Sequence, residues 1–78
     1  MTLLAQAWHQ RGRQLQEQGQ LDAAAEAYHQ ALAQEPGRLR SLNNLAVLRL
    51  AQGRGAESLV LLNQGLVAAE QRWRSESG

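Results

Sequence analysis

Apolar positions recur at helical spacing in four stretches of this chain, separated by breaks that contain glycine or proline. In the first, about Leu3 to Gln18, Leu4, Trp8 and Leu15 share one stripe. Gly12 sits among them, where a close neighbour would require a missing side chain. Gly19-Gln20 ends this helix. The second begins near Asp22, whose carboxylate suits the capping of free amides at a helix start. Its Ala23, Ala24, Ala27, Tyr28, Ala31 and Leu32 form an apolar face of small residues with Tyr28 as the large knob. Glu35-Pro36-Gly37 stops it, because proline lacks an amide hydrogen and restricts the residue before it. The third helix, from Arg38 or Leu39 to about Gln52, carries Leu39, Leu42, Leu45, Ala46, Leu48 and Leu50, with Ser41 as the cap of a slightly shorter version. After Gly53-Arg54-Gly55 the fourth starts near Ala56, meets no proline and is predicted to reach about Arg74, leaving residues 75–78 as a frayed tail. Along it Leu59, Leu62, Leu66, Ala69 and Trp73 are spaced 3, 4, 3 and 4 residues apart, the seam of a helix that packs lengthwise on another.

The two hairpins are copies. Trp8, Gly12, Leu15, Gly19, Ala24, Tyr28, Ala31 and Pro36 recur about 34 residues later as Leu42, Ala46, Arg49, Gly53, Ser58, Leu62, Gly65 and Glu70, most pairs keeping their size class. A helical repeat cannot bury its apolar face alone and stacks on a neighbour. Trp8-x2-Arg11-Gly12-x2-Leu15, then Ala24-x3-Tyr28, then Pro36, resembles the tetratricopeptide repeat; the second copy fits it at Leu42, Leu45-Ala46, Ser58 and Leu62 and departs from it at Arg49 and Glu70. The resemblance implies one all-α domain over residues 1–78: two stacked helix-turn-helix hairpins, residues 5–38 and 39–72, in a right-handed α-solenoid fragment with an extended C-terminal helix. It also implies a module that binds peptides or proteins and has no catalytic activity of its own.

Comparing the copies adds information. Arg11, Arg13, Gln14, Gln16, Glu26 and Ala27 become Leu45, Val47, Leu48, Leu50, Val60 and Leu61. The first repeat thus has the wetted surface of a terminal cap, and the second carries apolar residues in the same places, as if built to be covered. Exposed apolar patches of more than a few hundred Å² usually mark an interface. A homodimer is expected in which the last helix of each subunit covers the other, Leu62, Leu66, Ala69 and Trp73 meeting their own copies about a two-fold axis, with Leu50 and Leu59 in the same self-association or partner interface. The alternatives are a fragment, extra apolar residues that simply fill a small core, or a structural subunit docked by that face on a larger assembly.

Composition narrows the classes. At 78 residues with no cysteine, the chain supports one small domain that neither disulfides nor thiolate-bound metal can brace, so association is the remaining support. Eight arginines, with no lysine, nearly balance seven carboxylates, which argues against nucleic acid or an anionic membrane as the main partner. No stretch is apolar over the roughly 20 residues that cross a bilayer, and Met1-Thr2-Leu3-Leu4-Ala5 lacks the basic start and the long apolar run of a signal peptide. The cytoplasm is the expected location. His9 and His29 lie on different helices with no acidic cluster nearby, so no metal, cofactor, small-molecule substrate or catalytic residue is expected.

In the tetratricopeptide frame, the first helix of each repeat lines a groove. Its inward positions here would be Gln6, His9, Gln10, Arg13 and Gln16, then Arg40, Asn43, Asn44, Val47 and Leu50. Asn43 and Asn44 can donate to and accept from a peptide backbone at once. His9, Arg13 and Arg40 could pair with a carboxylate, as in the clamp of chaperone-binding relatives, although only Asn44 falls on a clamp position with the expected residue.

Overall fold

A left-handed glycine turns each hairpin. The computed structural model describes residues 3–77 and pairs α1 (Leu3–Glu17) with α2 (Leu21–Gln34), and α3 (Leu39–Ala51) with α4 (Gly55–Ser77). Gly19 and Gly53 take φ of 77° and 78°, a conformation that costs a residue with a Cβ but not glycine. They close the same motif twice. The Gln20 amide donates to the Leu15 carbonyl and the Gly19 amide to Gln16; 34 residues on, Arg54 donates to Arg49 and Gly53 to Leu50. Among the described residues there is no strand.

Helix boundaries differ from the sequence expectation in three places. Asp22 does not cap α2: Gln20 occupies the cap position without a side-chain bond, and the Asp22 carboxylate, within the first turn, accepts from Gln52 Nε2 at 2.9 Å. It still lies where the helix dipole favours a negative charge. Ser41 lies inside α3 and bonds sideways to His9 rather than capping, while Arg38 stands at the cap position with no side-chain cap bond. The helix α4 continues to Ser77, through three of the four residues expected to fray. Nothing between Ala56 and Ser77 breaks it, and Arg74 pairs with Glu70 one turn back. Gly78 lies outside the described residues.

Stacking follows from the small residues of α2. It packs on α1 on one side and α3 on the other, and Ala24, Ala25, Ala27 and Ala31 are all buried, letting both neighbours approach. Tyr28 is fully buried at the centre with Leu15, Leu45 and Leu48, flanked by Trp8, Leu21, Leu32 and Leu61. Tyr28 also explains Gly12: a Cβ there would lie 2.7 Å from the ring carbons Cδ1 and Cε1.

The extra apolar residues of the second repeat divide into two sets. Leu45 and Leu48 are fully buried, because α3 has α2 packed against it where the corresponding Arg11 and Gln14 of α1 face solvent. Val47, Leu50 and Val60 remain 53%, 62% and 58% exposed. Part of the asymmetry is therefore core filling, and only the remainder is uncovered surface. Arg49, which stands where Leu15 stood, is mostly buried along its stem and reaches out to Glu57 at 3.1 Å and Gln52 at 2.9 Å.

Candidate binding surfaces

Three pockets run in sequence along the face shared by α1 and α3. Arg13, Gln16, Glu17, Asn44 and Val47 line the first; His9, Arg13, Arg40 and Asn44 line the second. The third, about 240 Å³, is lined by Gln6, Glu35, Arg38, Leu39, Arg40 and Arg72. Shared Arg13, Asn44 and Arg40 make the series continuous. Six of the expected groove residues, Gln6, His9, Arg13, Arg40, Asn44 and Val47, thus come together. Gln10 is exposed on α1 outside these pockets. Asn43 faces elsewhere, since adjacent helix positions point about 100° apart. It borders an apolar groove of about 390 Å³ with Leu39, Leu42, Leu61, Leu62, Gly65 and Leu66.

Beneath the α1/α3 face lies a polar network that joins three helices. His9 Nδ1 and Ser41 Oγ are 2.9 Å apart and buried. Tyr28 donates its hydroxyl proton to Gln16 Oε1 at 2.7 Å, and Asn44 Nδ2 donates to the same hydroxyl at 3.4 Å. The His9 and Tyr28 rings are tilted at a centroid distance of 5.5 Å. His9 is therefore both a buried strut between the repeats and part of the wall of the second pocket. Asn44 reaches the groove and also completes the network. Ser41 and Gln16 show how limited the sequence signal was: a serine and a glutamine in helix interiors have no local signature of their long-range partners.

Burial of the imidazole, then Arg38, Arg13 and Arg40, hold the His9 pKa below its ordinary 6.5, and burial pushes that of Tyr28 above 10.0. The sign for His9 follows. As pH falls through 6.5, the unfolded chain takes up a proton that the folded chain refuses, so stability is lost from there down to the folded-state pKa. Melting temperature recorded from about pH 8 to about pH 5 should show this decline in the wild type. His9→Gln, neutral throughout, should lack it; parallel curves would remove His9 as the source.

Arg38 is the residue that the sequence most obscured. Only 7% of it is exposed. Its Nε and Nη1 are buried without a hydrogen bond, and Glu35 Oε2 lies 3.7 Å from Nη1, an ion pair beyond hydrogen-bond reach. A buried donor left unbonded costs about 1–3 kcal/mol, more when charged. The available signal was positional: a long cation directly after Pro36-Gly37, at the cap position where a short polar side chain is usual.

The second candidate surface is α4. Leu59, Leu66 and Trp73 are 69%, 70% and 68% exposed, Leu62 is 42% exposed, and Ala69 is exposed as well. These and Leu50, the residues expected at an interface, are thus all open to solvent in the single chain. Ala68 approaches Gly37 in the connector before α3, so α4 overhangs α3 from there on. At about 1.5 Å per residue the overhang to Ser77 is about 14 Å, and it carries Ala69, Arg72 and Trp73.

The family model for the tetratricopeptide repeat matches residues 15–75, most of the chain. The chain belongs to the tetratricopeptide repeat family. No curated protein and no solved structure gave a match. Tetratricopeptide repeats generally mediate protein–protein interaction and are typically non-catalytic. Among its described residues no helix is long and apolar enough to cross a membrane.

Proposed function

We propose that the protein is a small cytoplasmic adaptor or assembly factor that self-associates through α4 and holds a polypeptide partner on the α1/α3 face. The observation that carries this is the overhanging α4, with exposed leucines and Trp73 at the spacing of a helix–helix seam. A helix whose apolar stripe is exposed to solvent gains by laying it against another such stripe, and a second copy supplies an identical one about a two-fold axis. Self-association leaves the α1/α3 face free. There polar and charged side chains that can bond an extended backbone border the apolar Val47.

Light scattering across a dilution series, with circular dichroism on the same samples, tests the first half. A helical dimer that dissociates only on dilution is expected; a folded monomer at all concentrations would eliminate self-association. Displayed random peptides selected on the dimer test the second half. Arg13→Glu with Val47→Glu, both at exposed positions, should weaken the selected peptides by roughly tenfold or more while the mass stays dimeric. Undiminished binding would move the site off this face.

A further inference from the structure

We infer that the third pocket of the α1/α3 face, lined by Arg38, Arg40 and Arg72, is a carboxylate-binding site, and that its occupant is an acidic group of the polypeptide partner. This rests on the proposed function only in that the carboxylate belongs to a polypeptide. Two independent features converge on the pocket. One is Arg38, more than nine-tenths buried, whose Nε and Nη1 have no hydrogen bond and whose side chain lines the cavity. The other is the N-terminus of the 13-residue α3, at which no side chain caps the first-turn amides and whose Leu39 and Arg40 form part of the wall. Guanidinium forks and helix amides are both donors without acceptor capacity, and a planar oxyanion satisfies both.

Charge selects an anion. Three arginines face one carboxylate, Glu35, so the lining carries a net positive charge that attracts an anion. A planar carboxylate fits a guanidinium fork bidentately, and it is the oxyanion that an unmodified polypeptide partner carries. The connector and the tail of α4 supply Arg38 and Arg72, so this site differs from a clamp assembled on the first helices of repeats. It also gives the overhang of α4 a use beyond Trp73: Arg72 adds a third guanidinium to the lining. Glu17 and Arg13 offset each other at the opposite end of the series of pockets, so the positive charge is concentrated at this end, and an extended segment with one acidic terminus has a preferred direction on the face.

The test follows the arginine Nε–H resonances of the full chain, labelled at arginine, during titration with four probes. These are an acetylated Gly-Gly-Glu-Gly amide, an acetylated Gly-Gly-Gly with a free terminal carboxylate, the corresponding Gly-Gly-Gln-Gly amide, and inorganic phosphate. A saturable shift of the Arg38 resonance with one or both carboxylate peptides is expected, and none with the glutamine peptide; the stronger of the two identifies the source as side chain or chain end. Arg72→Gln, on the exposed tail, should weaken that response at least fivefold. Arg38→Met, which keeps the stem and removes the charge, should abolish binding without lowering the melting temperature. No saturable shift at Arg38, an undiminished response in Arg72→Gln, or phosphate binding more tightly than either carboxylate would each overturn the site. The dimer mass measured on the same samples separates the two proposals: a dimer whose Arg38 does not respond loses this site and keeps self-association.

Discussion

Tyr28→Ala is expected to unfold most of the protein. The ring is fully buried between α1, α2 and α3, and removing a core aromatic costs about 3–5 kcal/mol. A 78-residue domain holds only about 4–12 kcal/mol in all. The Gln16 and Asn44 side chains would also lose their common partner. Gly12→Ala probes the same contact from the other side. Its Cβ would meet the Tyr28 ring at 2.7 Å, and a fully buried ring has no room to retreat. Overpacking of this kind costs about 1–3 kcal/mol, against which alanine returns about 1 kcal/mol of helix propensity. The second repeat carries the compensated pair at the corresponding positions, Ala46 with Leu62. Gly12→Ala with Tyr28→Leu should therefore be more stable than the two single losses add up to. Urea unfolding of the four proteins checks this, and strict additivity would show that the glycine is not there for the ring.

Trp73→Glu is expected to convert the proposed dimer to monomer. Trp73 is 68% exposed on the part of α4 that overhangs α3, so a charge there costs the single chain little. At a two-fold seam the substitution acts twice, and central tryptophans contribute about 2 kcal/mol or more each, so dissociation should rise by roughly a thousandfold. Sedimentation of wild type and variant at matched concentrations, with helicity recorded in parallel, gives the answer. A variant that stays dimeric, or a wild type that was monomeric already, would rule out this seam.

The fold was legible because each of its devices is local. Gly19 and Gly53, Pro36 and the stripes of Leu and Ala are punctuation and periodicity that a chain displays without its neighbours, and the helices lie within a few residues of where that punctuation puts them. Gly12 could be read as a close approach because a glycine inside a helix needs a reason. The site was less legible. His9 had the right register for the groove and lines it, yet it is also a buried strut, since register tells which way a side chain points and not whether Ser41 stands beside it. Asn43 and Asn44 read as a pair and point to different grooves. Nothing along the chain links Arg72 to Arg38, and only the antiparallel packing of α4 on α3 brings them to one pocket.

The all-α class, the four helices, the tetratricopeptide repeat and the small-residue face on which the hairpins stack can be read along the chain, because they depend on spacing alone. Only the tertiary structure decided which apolar residues of the second repeat are core and which are surface. It also decided which polar residues lock the repeats together, and that Arg38 is buried without a full set of partners. Burial and pairing are properties of contacts between distant segments: Leu45 and Val47 are two residues apart on one helix, and what separates core from surface there is the presence of α2 on one side alone.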